Sequence, residues 1–90
     1  MKTVCITITG KVQGVFFRAS TREKARSLNL RGYVKNQHDG SVYIEVSGDP
    51  MKLQKLIDWC RVGPEMAIVE NVSVIELDQP SHEIEFEIVH

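Results

Sequence analysis

The chain has 90 residues, 42% of them hydrophobic and 26% charged, with a formal net charge of −1. That length fits one domain spanning 1–90 that buries about 60–65% of its unfolded surface, and the composition is that of a soluble globular protein rather than a disordered or membrane one. No run approaches the ~18 consecutive apolar residues of a membrane span, and the N-terminus lacks the three regions of a signal peptide, so a cytoplasmic protein with no membrane partner is expected.

Residues 3–9 alternate, with Val4, Ile6 and Ile8 on one face and Thr3, Cys5 and Thr7 on the other, the period of a half-buried strand. The strand runs into GKVQGVFFR, residues 10–18, and then Phe17, Thr21, Ala25 and Leu28 recur at helical spacing, predicting a helix over about 17–29. Residues 32–37 read as a second strand. Val42, Ile44 and Val46 alternate with Tyr43, Glu45 and Ser47 in a third, and Asp39-Gly40 between the two is a hairpin signal. Asp49-Pro50 supplies an N-cap and a proline at the first helical position, and Leu53, Leu56, Ile57 and Cys60 mark one face of a helix that stops at Gly63-Pro64. Over 67–77, Val69 and Val72 are out of phase for simple alternation, which predicts a bulge near Glu70-Asn71. The last strand, 83–89, sets Ile84, Phe86 and Ile88 against Glu83, Glu85 and Glu87, whose charges protect an edge.

This order predicts an α+β fold, the ferredoxin-like βαββαβ sandwich, with two helices packed on one face of an antiparallel sheet and the other face open to water. Cys5 and Cys60 form neither a CxxC pair nor part of a histidine cluster, so zinc and thioredoxin-like chemistry lack support and two free thiols are expected. Charge is distributed unevenly: residues 1–38 carry eight Lys or Arg against one acid, and residues 39–90 carry three against eleven, giving +7 and −8. Either the halves interleave and the asymmetry averages out, or a basic mouth for a small anion is left.

A loop leaving a strand and entering a helix presents free backbone N–H groups near the positive end of a helix dipole, and Gly14 lets the main chain curl so that they converge. Arg18 would close such a cradle with a planar fork of donors suited to phosphate or carboxylate oxygens. A tight turn followed by a surface arginine is the plainer alternative. Asn36 shares a face with Val34, and asparagine is disfavoured in strands. It either belongs to the turn or holds a water or an oxyanion with its amide.

Residues 10–18 resemble the first signature of the acylphosphatase family, GxVQGVxFR, and residues 32–42, GYVKNQHDGSV, resemble its second, GxVxNxxDGxV. Gly63-Pro64 followed by Ala67, Val69 and Val72 is similar to a third stretch of that family. The resemblance implies a hydrolase that splits the carboxyl–phosphate bond of acyl phosphates into a carboxylate and inorganic phosphate. It implies that the backbone of Gln13, Gly14, Val15, Phe16 and Phe17 cradles the phosphoryl group, that Arg18 clamps it, and that Asn36 positions the attacking water. The leaving group is good, so positioning and charge stabilisation suffice, with no metal, no cofactor and no covalent nucleophile. Inorganic phosphate would bind as product and competitive inhibitor, and the small size and exposed glutamates suit a monomer.

The chain departs from the family pattern at Glu65, where a second proline is common, and at His90, where the last residue is often basic or aromatic. The latter leaves contact between the C-terminus and Arg18 open. Arg31-Gly32-Tyr33 opens like the signature of an RNA-recognition module, but Val34, Lys35 and Asn36 stand where stacking aromatics belong, so no nucleic-acid partner is expected. Cys5 lies mid-strand, away from any loop shared with Arg18, which argues against a cysteine phosphatase, and the hairpin accounts for His38 and Asp39. The rival is a non-catalytic anion-binding domain on the same fold. Modules of this family also occur inside much larger hydrogenase-maturation proteins, and the length of 90 residues favours the free enzyme.

Overall fold

The alternation that marks the first strand draws it to the middle of the sheet, where both of its edges are paired. In the computed structural model, which describes residues 1–81 and 83–90, the elements are β1 (Lys2–Lys11), α1 (Phe17–Ser27), β2 (Arg31–Asn36), β3 (Val42–Gly48), α2 (Pro50–Cys60), β4 (Ile68–Leu77) and β5 (Phe86–Ile88). The strands lie in the order β4-β1-β3-β2-β5. The first six elements form the expected βαββαβ unit, and β5 adds a seventh at the edge.

Register sets the core. Val4, Ile6 and Ile8 stand opposite Val46, Ile44 and Val42, and Val34 stands opposite Ile44, so aliphatic side chains from three strands meet on one face. All are buried, together with Phe17, Thr21 and Ala25 from α1 and Leu53, Leu56, Ile57 and Cys60 from α2. Each large side chain so buried stabilises the fold by about 1.5–3 kcal/mol. Phe17 joins the two helices, its ring 5.4 Å from that of Trp59 at 57°. Thr21 enters the core because its hydroxyl donates to the Phe17 carbonyl at 2.7 Å. On the opposite face no helix packs: Cys5, Tyr33, Tyr43 and Glu45 lie there, with the Tyr33 and Tyr43 rings 6.2 Å apart and the Lys35 ammonium 5.6 Å from the centre of Tyr43. Both cysteines are free, Cys5 half-buried and Cys60 buried. Among the described residues no helix is long and apolar enough to cross a membrane.

The predicted bulge is present. Thr9 faces Asn71 while Gly10 faces Val69, so Glu70 is the extra residue on β4. Gly10, at φ 125°, is required beside it, because a Cβ there would collide with the Ile68 carbonyl oxygen.

The sheet departs from the expectation at its last strand. β5 runs parallel to β2, pairing Gly32 with Phe86 and Val34 with Ile88, so the sheet is mixed rather than wholly antiparallel. The strand is also shorter than 83–89. Ile84 is 91% exposed and outside the sheet, because in this register it would lie opposite Leu30, in the turn that leaves α1. Arg26 secures the edge from α1: its Nε donates to the Phe86 carbonyl at 2.9 Å, and its Nη2 lies 3.2 Å from a Glu87 oxygen.

The two readings of the charge asymmetry each describe part of the surface. The halves interleave, so Lys2 meets Glu76 at 2.6 Å and Arg26 meets Glu85 and Glu87. At the N-terminal end of α1, however, Arg18 and Arg22 share a cavity with a single acidic side chain among the described residues, Glu87.

Candidate active site

The two helices begin differently, and the difference makes the site. At α2 the sequence Asp-Pro does what capping chemistry requires: the Asp49 carboxylate accepts from the N–H groups of Met51 and Lys52 at 3.1 and 3.3 Å. At α1 no side chain caps the first turn, and no acidic residue lies in it. The position before the helix is Phe16, in the left-handed region at φ 65° with its side chain 78% exposed. A non-glycine residue there costs about 1–2 kcal/mol. Gly14 is also left-handed, at φ 74°, with open space where a Cβ would stand. A backbone curled this way, ending at an uncapped N-terminus, aims N–H groups at a common point where the helix dipole favours negative charge.

The curl opens into a cavity of about 460 Å³ lined by Gly14, Phe16, Phe17, Arg18, Arg22, Asn36, Ile88 and His90, among others. Of the residues expected at the site, Arg18 and Asn36 are thus brought to one cavity from sequence positions 18 apart, along with Gly14, Phe16 and Phe17. Val15 is buried and Gln13 half-buried, and neither lines the cavity. Arg18 is half-buried, and its Nη1 lies 3.5 Å from Nδ1 of His90, so the last residue does reach the arginine.

Asn36 ends β2 opposite Val42, on the helix-covered side. Its Oδ1 is buried and accepts no hydrogen bond among the described residues. A buried acceptor that is never satisfied costs about 1–3 kcal/mol, so this oxygen calls for a donor that the hairpin does not supply. The turn therefore does not account for Asn36, whereas it does account for its neighbours. Asp39 accepts from the Ser41 hydroxyl at 2.6 Å and the Ser41 N–H at 2.9 Å, bonds that hold its carboxyl below the usual range, and His38 is exposed.

Gln13 does more than its backbone suggests. Its Nε2 donates to the Gln37 carbonyl at 2.8 Å and to the Ser41 carbonyl at 2.9 Å, tying the loop to the hairpin one residue beyond Asn36. Sequence reasoning gave it only a backbone part, because nothing in a loop's spacing shows where its amide reaches. Arg22 was likewise not singled out, although its position four residues after Arg18 puts both on one helical face. Among the described residues no three His, Cys, Asp or Glu side chains converge as a metal-binding group.

Comparison with known proteins agrees with this geometry. The sequence profile of the acylphosphatase family matches residues 4–88. An acylphosphatase of Marinobacter nauticus is 45% identical over 85 residues, covering 94% of this chain and 92% of that protein. The crystal structure of acylphosphatase from Bacillus subtilis superposes with a TM-score of 0.96 at 33% identity over the full length of both chains. An acylphosphatase structure from Coxiella burnetii gives 0.92 at 38% identity, over 98% of this chain and 92% of that one. With the uncapped α1, Arg18 and Asn36 at one cavity and these matches spanning nearly every residue, the chain belongs to the acylphosphatase family.

Proposed function

We propose that this protein hydrolyses the carboxyl–phosphate bond of acyl phosphates by direct, in-line attack of a positioned water, with no metal ion and no covalent intermediate. The observation that carries the reading is that Asn36, whose buried Oδ1 accepts no hydrogen bond among the described residues, lines the same cavity as Arg18 and the open N-terminus of α1. The backbone N–H groups from Gln13 to Phe17 and the Arg18 guanidinium hold the phosphoryl oxygens from behind. Asn36 accepts a hydrogen bond from a water on the open side and aims its lone pair at phosphorus. As the new P–O bond forms, the bond to the acyl oxygen breaks and the carboxylate departs with the electron pair. The water's proton passes to a phosphoryl oxygen, and the leaving group needs no acid.

Charge gathers on the phosphoryl oxygens in the transition state, so donors preorganised around them supply the rate acceleration, typically about 10²- to 10³-fold for each donor. Inorganic phosphate fits the same cradle and should inhibit competitively. A protein that works this way needs no second copy, and we propose a monomer.

The test is hydrolysis of benzoyl phosphate by the wild type, Arg18→Gln and Asn36→Ala in the presence of a chelator. Turnover insensitive to chelation is expected, with both variants reduced by at least about 10²-fold while remaining folded. A folded wild type without turnover would favour a binding domain. Activity retained by Asn36→Ala would remove the water-holding role and leave the cradle in place.

A further inference from the structure

Helix α1 carries arginines at positions 18, 22 and 26, one row of i, i+4 neighbours, and each meets a different fate. Arg18 faces the cradle. Arg26 is engaged by the edge strand, with its Nε on the Phe86 carbonyl at 2.9 Å and its Nη2 at 3.2 Å from Glu87 and 3.7 Å from Glu85. Arg22, between them, is half-buried and lines the cavity with Arg18 and Asn36, and its side chain makes neither an ion pair nor a hydrogen bond among the described residues. Glu87 is the one acidic side chain among the described residues lining that cavity, and Arg26 already holds it. No acidic side chain lining the mouth is thus left to pair with Arg22.

We propose that Arg22 is a specificity-determining residue that binds a second anionic group, a carboxylate or a phosphate, at the far end of the acyl chain. This rests on the reading of the site as a hydrolase of acyl phosphates and adds the kind of acyl group it takes. Four residues along α1 amount to a rise of about 6 Å, a distance that a short acyl chain spans from a phosphoryl group at Arg18. Phe16 and Ile88 line the same cavity and give the methylenes an apolar wall. A neutral acyl chain gains only that wall, whereas an anionic one also gains the planar fork of a guanidinium matched to carboxylate or phosphate oxygens.

The experiment compares kcat/KM for succinyl phosphate, 3-phosphonopropionyl phosphate and butyryl phosphate, which share a short chain and differ in the charge at its end. The wild type should favour the two acyl phosphates with an anionic acyl end by about 5- to 10-fold, mainly through KM, and high salt should shrink the preference. The larger of the two anionic preferences assigns the subsite to dicarboxylic or to phosphate-terminated acyl groups. Arg22→Gln should bring the anionic-to-neutral ratio close to one, Arg22→Lys should restore part of it, and Arg22→Glu should turn it below one. Turnover of all three acyl phosphates with a wild-type ratio near one, or a ratio unmoved in Arg22→Gln, would overturn the subsite and leave the hydrolase reading intact. Failure of the folded wild type to turn over any of them would overturn both.

Discussion

Replacing Gln13 by methionine isolates the tie between the phosphate loop and the hairpin, because it keeps the length and volume of the side chain and removes only the amide. The lost donor serves the carbonyls of Gln37 and Ser41 at 2.8 and 2.9 Å. Neither carbonyl is orphaned, since Gln37 also accepts from the Gly40 N–H at 3.1 Å and Ser41 from the Gln37 N–H at 2.9 Å. The penalty is therefore that of two net hydrogen bonds, about 2 kcal/mol together, rather than of two buried unsatisfied groups. Urea unfolding should show it as a midpoint lower by about 1–2 M with an unchanged slope. Activity on benzoyl phosphate should fall further than stability explains, by about 10²-fold in kcat, because the cradle and Asn36 would no longer be held in register and a 1 Å misplacement has that effect. Gln13→Glu should be worse at neutral pH, as it points a carboxylate at two carbonyl oxygens. Those dipoles raise its pKa in the folded state, so its stability is greatest below the unfolded value of about 4.3 and is lost as pH rises through the folded one. A Gln13→Met protein with the wild-type midpoint and kcat would refute the coupling.

Burial pushes the Cys60 thiol up to about 12, so at pH 8 a thiol reagent should modify half-buried Cys5 in the folded protein and reach Cys60 only after denaturant is added; two rapid equivalents would contradict the packing. Asp39 has a folded-state pKa lowered first by the Ser41 hydroxyl and then by the Ser41 N–H. Its contribution is present above the unfolded value of about 3.9 and lost as pH falls through the folded one, so Asp39→Asn should flatten the acid limb of the stability curve and leave stability near pH 7 to the remaining turn bonds.

The parts of the fold legible in the sequence were those where one local rule decides the outcome. Period-two alternation placed Val4, Ile6, Ile8, Val42, Ile44 and Val46 in the core, and the phase break between Val69 and Val72 located the Glu70 bulge. Asp49-Pro50 marked the start of α2, and the structure completes the cap with two N–H bonds. The end of the chain failed the same treatment. Ile84, Phe86 and Ile88 alternate as well as any strand, yet pairing depends on what β2 offers alongside, and β2 begins too late to reach Ile84. The parallel direction of β5 is likewise a property of the path the chain takes after β4, which alternation does not encode. At the site, the motifs supplied Arg18 and Asn36. The amide of Gln13 and the unpaired state of Arg22 depend on contacts 24 or more residues away along the chain, or on a rival, Arg26, that removes Glu87 first.

Three irregularities of this molecule gather at one end of α1, and each is the opposite of what stability alone would select. A bulky residue sits at positive φ where glycine or asparagine would be unstrained, one helix is uncapped while its partner is capped, and a buried amide oxygen has no donor. Elsewhere the core alternates regularly, although Arg31 Nε at the start of β2 is also buried without a partner among the described residues. Local rules are broken in natural proteins chiefly where function requires it, and the three departures here share one remedy. An oxyanion would engage the free N–H groups, complete the helix dipole and give Arg18 a counter-charge, while a water beside it would fill the empty acceptor of Asn36. Binding therefore removes the electrostatic cost that folding left in place. Inorganic phosphate should accordingly raise the unfolding midpoint of the wild type in proportion to the logarithm of its concentration above Kd, and raise it much less in Arg18→Gln. Equal stabilisation of both proteins would mean that phosphate binds elsewhere and that the open end of α1 has some other cause.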